Sequence, residues 1–445
     1  MHEYVDRRRF LQVMGGAGLS LGVGLPGGRA LGPLAPAPLS GSQLPRGGAP
    51  DPFEPDPRLP DPEFFRRVRR EFLFPEEIAY CNTGTLGACP REVVETLVAS
   101  LTEIESDLPE WPYFEADGEP LTGYQPLRPQ RERAGRMIQA PADEVALTQN
   151  ATMGLSFLAG GLELEPGDEV LSTDQEHSGG IGGWRLRAQR DGIVLRELPL
   201  DEGTADGPEG IVRLFADAIT PRTRVLAFSH ITSGLGTLLP ARELCELARD
   251  HGIVSVVDGA QAVGQIQVDV KEMGCDAYVT SPHKWLLAPK GTGILYIREE
   301  LQPRVWNTLA SGGFEDRESG AFRFMRYGTG SLAVIHGFEA ALEFMERIGI
   351  DRVERWDRNL TLRLREGLDS IPGAWIASPQ DPRLGAAITT FGVRGVDGVD
   401  LQNALWERGI RVRAQAGERV RLSAHLYVGP HDIDRTLEVV EEVAA

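Results

Sequence analysis

The sequence is poor in the features that mark metal, nucleic-acid and membrane proteins. Its four cysteines, Cys81, Cys89, Cys245 and Cys275, form no CxxC pair and no metal-ligand spacing, so no metal site is expected. Positive charge is short as well. The 46 Lys and Arg stand against 65 Asp and Glu, a net charge of -19, and a field of that sign opposes nucleic acid and anionic membranes. A small molecule is the expected partner. No apolar run is long enough to span a bilayer comfortably, and no internal repeat is visible. Buried free thiols are the expectation for the cysteines. An oxidising compartment would permit a Cys81 to Cys89 bridge, but four cysteines allow three pairings and the sequence does not choose.

At 445 residues the chain exceeds the usual limit of one core. Its start differs from the rest. Asp6-Arg7-Arg8-Arg9-Phe10-Leu11-Gln12 precedes an uncharged, glycine-rich, mildly apolar stretch from Val13 to Pro26, which resembles a twin-arginine (Tat) export signal. Residues 1–37 are therefore expected to be a signal ending near Ala35-Pro-Ala37, handled by the Tat export machinery. Periplasmic or extracellular residence is then expected, with the cytoplasm as the alternative. Residues 38–62, rich in Pro, Gly and Ser, are expected to be a linker.

From about residue 90 the pattern alternates helix and strand, as doubly wound α/β folds do. Strands are expected at Val145–Thr148, Glu169–Thr173, Val194–Leu198, Arg224–Ser229, Ile253–Val257, Ala277–Thr280 and Gly293–Ile297. Helices with apolar residues at three- and four-residue spacing fall between them, at Arg91–Ile104, Gly210–Ile219 and Ala241–Asp250. A long helix from Leu332 leads to a second region, with a helix at Arg352–Ser370 and a strand at Ala386–Val393. The expected division is a large domain over 63–331, with packing of its first part on the smaller domain as the alternative, and a small α+β C-terminal domain over 332–445.

Two segments carry the chemistry. Asp258-Gly-Ala-Gln261 and Ser281-Pro-His283-Lys284 each come directly after a β-branched run, which puts an acid and a lysine at the carboxyl ends of strands, where open α/β sheets bind ligands. Alone, the Asp would be a helix cap and the Lys a snorkelling side chain. Together, and in order with further matching segments, they resemble the class V aminotransferase family of fold-type I pyridoxal phosphate (PLP) enzymes, which includes cysteine desulfurases, kynureninases and isopenicillin N epimerase-like proteins. Tyr80-Cys-Asn-Thr-Gly-Thr-Leu-Gly-Ala-Cys-Pro90 resembles the opening segment of the epimerase-like branch, and its glycines suit a loop passing close to a ligand. The resemblance runs from about Ala79 to Ile433.

That resemblance implies a fold-type I α/β fold, a PLP cofactor and an amino-acid substrate. Lys284 would hold the cofactor as a Schiff base and Asp258 would hold its ring nitrogen protonated. Ala151 and Thr152, where a strand gives way to a helix, would bind its phosphate with Ser281 and His283. His177, in Asp174-Gln-Glu-His177, would stack on the ring and move protons. Gln261 would bond the phenolic oxygen. Ser233 would lie near that oxygen or the substrate, with Gly234 and Gly236 allowing close approach. Thr329, in Tyr327-Gly-Thr-Gly330, would reach the neighbouring subunit's phosphate site in a homodimer with shared sites; a plain glycine turn is the alternative. Arg413 is the expected partner of the substrate carboxylate, with Arg421 as competitor and one of the two serving only an exposed strand face.

The reaction is less determined, because the family runs several chemistries. No cysteine lies between Arg413 and Ser423, where desulfurases carry their sulfur acceptor, so desulfurase activity is not expected. Epimerisation or transamination is favoured. A kynureninase-like or C–S lyase, or a PLP-fold binding protein without catalysis, are the alternatives. Trp111, Tyr113, Phe114 and Tyr124, in a long irregular stretch, are expected to line the substrate pocket or cover a dimer neighbour, with Tyr124 setting substrate preference.

Overall fold

A computed structural model describes residues 53–108 and 126–445. The segment expected to be an export signal, most of the expected linker, and Trp111, Tyr113, Phe114 and Tyr124 lie outside the described residues. After a short helix, Asp61–Arg69, strand β1 (Ala79–Tyr80) leads into a loop and then the helix Arg91–Asp107.

The central sheet is built from β2 (Val145–Thr148), β3 (Glu169–Thr173), β4 (Val194–Leu198), β5 (Thr223–Ser229), β6 (Val254–Asp258), β7 (Ala277–Thr280) and β8 (Gly293–Ile297). Their order is β2-β8-β7-β6-β5-β3-β4, parallel except that β8 runs against both neighbours. The inner strands β6, β7 and β8 are buried along their whole length, as a sheet covered on both faces requires, whereas the edge strand β4 is partly exposed. Intervening helices supply the cover. In Ala241–Asp250 the buried residues Ala241, Leu244, Cys245 and Ala248 fall on one face at helical spacing. The fold is therefore the expected α/β architecture with a mostly parallel central sheet.

Farther on, helix Leu332–Ile348 packs on Arg91–Asp107, and helix Ile350–Asp369 comes next. A four-stranded antiparallel sheet comprises β9 (Ala374–Ile376), β10 (Ile388–Val393), β12 (Arg413–Ala414) and β13 (Arg419–Ser423), in the order β12-β13-β10-β9. Strand β11 (Ile410–Arg411) pairs in parallel with β1, which ties the N-terminal loop to this sheet. Phe65 also stacks on Trp356, with ring centroids 4.5 Å apart.

Most element boundaries match the expectations. Strand β6 is displaced by one residue and so takes in Asp258 itself. β10 begins at Ile388 rather than Ala386, because the Ala387 amide is bonded to the Gln265 side chain instead of a neighbouring strand. Gly236 differs from its expected use. It has φ +70°, and a Cβ there would lie 2.5 Å from the Ile388 carbonyl, so it permits close packing against β10 rather than approach of a ligand.

Candidate active site

Strands β5, β6 and β7 end together, and past their carboxyl ends lies a cavity of about 470 Å³. It gathers Ala151, Thr152, His177, Ser233, Asp258, Gln261, Ser281, His283, Lys284, Arg413 and Arg421, residues separated by up to 270 positions in sequence. Thr329 is absent from this lining and exposed on the surface of its own chain.

Asp258 is 8% exposed, and its two oxygens are used differently. Oδ1 accepts the Ala260 amide at 2.9 Å. Oδ2 has no donor among the described residues and faces Gly180, where a Cβ would approach it to 2.9 Å. Burial raises the carboxyl's pKa, opposed by the Ala260 amide and by the positive charges of Lys284 and His177. The Lys284 amine is pushed by burial down to about 8, against the pull of Asp258, and Arg421 and Arg413 lower it further.

His177 caps the helix Ser178–Asp191, its Nδ1 accepting the Gly179 amide at 3.1 Å. The imidazole proton therefore sits on Nε2 when the ring is neutral. Burial lowers its pKa first, then the charge of Lys284. Beneath it, Glu176 accepts hydrogen bonds from the Thr173 hydroxyl and from the amide and hydroxyl of Ser229, joining the ends of β3 and β5. Burial lifts this carboxyl to about 7 although the hydroxyls of Ser229 and Thr173 pull it down.

At the other side the helix Ala151–Gly161 points its N-terminus into the cavity. Asn150 Oδ1 holds the Met153 amide at 2.9 Å and Ser281 Oγ holds the Ala151 amide at 3.0 Å. Thus Ala151 and Ser281 meet each other, and the Ala151 amide is not open to an anion. The Thr152 amide has no acceptor among the described residues, and the Ser281 hydroxyl keeps its proton to donate. His283 Nδ1 is buried without a partner, and burial, reinforced by Lys284, lowers the ring's pKa to about 4.

Gln261 is fixed at both ends, its Nε2 donating to the Gly84 carbonyl at 2.9 Å and its Oε1 accepting from Trp285 Nε1 at 2.8 Å. The Trp285 carbonyl accepts in turn from His425 Nε2 at 2.9 Å, and His425 Nδ1 lies 2.7 Å from Asp357. This buried chain braces the backbone next to Lys284. A Cβ on Gly87 would lie 1.9 Å from the Lys284 carbonyl, so the N-terminal loop touches the lysine turn directly.

Both arginines line the cavity, which corrects the expectation that one would serve only an exposed face. Arg421 is 3% exposed and donates to the Ser233 carbonyl at 2.8 Å, Thr85 Oγ1 at 2.6 Å and Asn82 Oδ1 at 3.2 Å. Arg413 is exposed and reaches only Thr85 Oγ1, at 3.4 Å. Ser233 therefore contributes its carbonyl to the arginine. Neither Asn82 nor Thr85 stands out in the sequence by itself. Their signal is the glycine-rich opening segment, which does pass close to the cavity but supplies side chains as well. The four cysteines are free.

Residues 122–435 match the family model described as aminotransferase class-V. The chain belongs to the class-V aminotransferase family. Among curated relatives, isopenicillin N epimerase of Streptomyces clavuligerus is 31% identical over 401 residues, covering 85% of this chain and 98% of that one. A probable cysteine desulfurase of Methanothermobacter thermautotrophicus is 29% identical over 400 residues, covering 85% and 97%. An apo cysteine desulfurase structure from Thermococcus onnurineus superposes with a TM-score of 0.73 at 25% identity, over 87% of this chain and 98% of that one. A further fold relative, with glycine covalently linked to its PLP cofactor, has a TM-score of 0.73 at 23% identity, over 86% and 100%.

As a class-V protein, the chain is a PLP-dependent enzyme. Its residues fit that cofactor: a carboxylate oxygen without a donor for the ring nitrogen, a lysine in the cavity lining, and, for the phosphate, an open amide at a helix N-terminus and an imidazole nitrogen without a partner in the same lining.

Proposed function

We propose that the protein acts at the α-carbon of an amino acid or amino-acid-derived substrate, with epimerisation or transamination as the outcome. The observation that carries this is the meeting of Lys284 and Asp258, from neighbouring strand ends, in one cavity with two arginines. When bound there, the cofactor supplies an electron sink for negative charge developed at Cα. Asp258 Oδ2 would hold a proton on the cofactor's ring nitrogen, while its Oδ1 stays anchored to Ala260. Arg421 holds the substrate α-carboxylate, because its guanidinium is buried and oriented by three protein acceptors. Lys284 Nζ, a weaker base than a free lysine, takes the proton from Cα. His177 Nε2 is the atom able to give a proton back, and delivery to Cα on the other face from that taken would invert the centre.

A lyase is the second reading, favoured by relatives that are named cysteine desulfurases. Against a desulfurase, no cysteine lines the cavity among the described residues; a lyase of the elimination type needs none. A binding protein without catalysis is opposed by the retention of Lys284, Asp258 and Arg421. Visible absorbance of the holoprotein with a panel of amino acids separates the outcomes. Conversion to the amine form of the cofactor, reversed by a keto acid, identifies a transaminase. Recovery of the band while the amino acid changes hand identifies an epimerase, and release of a β-substituent identifies a lyase. An unresponsive band across the panel would contradict the proposal.

The proposal includes a homodimer to which Thr329, exposed and outside its own cavity, contributes at the neighbouring site; a monomer in sedimentation would contradict it. It also includes export directed by residues 1–37, contradicted by an unprocessed protein confined to the cytoplasm. The split into domains at 331/332 belongs to the same proposal, and limited proteolysis that never cuts near it would oppose it.

A further inference from the structure

The cavity holds more positive charge than its own chain neutralises. Arg413 and Arg421 sit directly opposite each other on the antiparallel strands β12 and β13, an arrangement that costs stability for like charges. Both converge on one hydroxyl, Thr85 Oγ1. Neither has a carboxylate partner among the described residues, and every polar contact they make is to a neutral oxygen. Elsewhere the protein behaves differently. A larger cavity of about 830 Å³ is lined by Arg136, Arg242 and Arg383, each ion-paired to a Glu or Asp. In a chain with net charge -19, two close, unneutralised guanidinium groups are an exception.

Among the described residues, Asp258 is the only carboxylate in the active-site lining. Under the proposed function it is committed to the ring nitrogen, and the helix end at Thr152 would hold the cofactor phosphate. No other described group of the site supplies negative charge for the arginines, which leaves the substrate as its source. The two are also built differently. Arg421 is buried and rigidly held, whereas Arg413 is exposed with a single long contact, so they suit two groups at different depths better than one carboxylate clamped from both sides.

We infer that the substrate is an amino acid carrying a second carboxylate, with its α-carboxylate on Arg421 and the distal one on Arg413. This rests on the proposed function and narrows it to a substrate class.

The test titrates holoenzyme with glutarate and adipate and with their monoamides, following the cofactor absorbance and the heat of binding. The dicarboxylates should bind about tenfold or more tightly than their monoamides, the scale of one charge-assisted contact. Arg413→Gln should bring each pair within about twofold while leaving the monoamide unchanged, and Arg413→Lys should restore part of the difference. Arg421→Gln should weaken both members. Equal binding of acid and amide by the wild type, including no binding of either, overturns the inference. So does an Arg413→Gln variant that loses the monoamide as strongly as the diacid, since the two arginines would then share one carboxylate. A protein that shows the cofactor band and fails these tests overturns the dicarboxylate assignment alone; a protein without the band overturns the proposed function on which it rests.

Discussion

The two ends of the active-site cavity are made of different material. The end formed by β5, β6, β7 and the helix Ala151–Gly161 is built from strand termini and backbone amides, and its polar groups are largely satisfied by one another: Ala151 by Ser281, Met153 by Asn150, Gln261 by Trp285 and Gly84. The end formed by β12, β13 and the N-terminal loop is built from long side chains whose charge is left open, Arg421 and Arg413 around Thr85. The first end is a product of topology, because parallel strands must finish side by side. The second can change with a few substitutions in short strands without disturbing the sheet. Under the proposed function, cofactor chemistry is therefore tied to the fold, and substrate choice to the smaller sheet.

Substitutions should separate these ends. Lys284→Ala is expected to reduce turnover by about a thousandfold or more, the scale of removing a general base, and to let dialysis strip the cofactor. Retained turnover would remove Lys284 from catalysis. Asp258→Asn, which cannot hold a proton on the ring nitrogen, should lower kcat by about a hundredfold with the protein still folded and coloured. Arg421→Gln should leave the cofactor band intact and raise KM by about thirtyfold or more, as loss of a buried charge-assisted contact does. An equal loss of band and affinity would erase the difference between the two ends. Ser281→Ala removes the acceptor of the Ala151 amide and should weaken cofactor retention by about fivefold, roughly 1 kcal/mol, measured by equilibrium dialysis.

The mildest effect concerns pH. The attacking form of Lys284 is the neutral amine, whose pKa burial brings to about 8. The rate at which apoprotein captures the cofactor should therefore rise with pH up to about 8 and then level. A rise continuing to pH 10 would indicate an ordinary exposed lysine.

Much of the cofactor end was legible in the sequence, for a physical reason. Buried parallel strands are β-branched runs, and the residues just after each run lie at the site, so Asp258, Lys284, His177 and Ser233 could all be read by position. The arginine end was less legible. Arg413 and Arg421 were both visible as candidates, but which of them is buried depends on the pairing of β12 with β13 and on a loop some 330 residues earlier that supplies Thr85 and Asn82. No local pattern encodes that contact. The Ala151 to Ser281 bond was equally hidden, because each residue taken alone looks like a free phosphate donor.

The most direct test uses a scarcity in the chain: Lys271, Lys284 and Lys290 are its only lysines. Borohydride reduction of the coloured holoprotein, with digestion and mass spectrometry afterwards, shows which one carries the cofactor. A pyridoxyl phosphate adduct is predicted on the peptide containing Lys284, absent from Lys284→Ala. An adduct on Lys271 or Lys290 instead, or none in a coloured protein, would contradict the assignment of Lys284 as the cofactor's anchor.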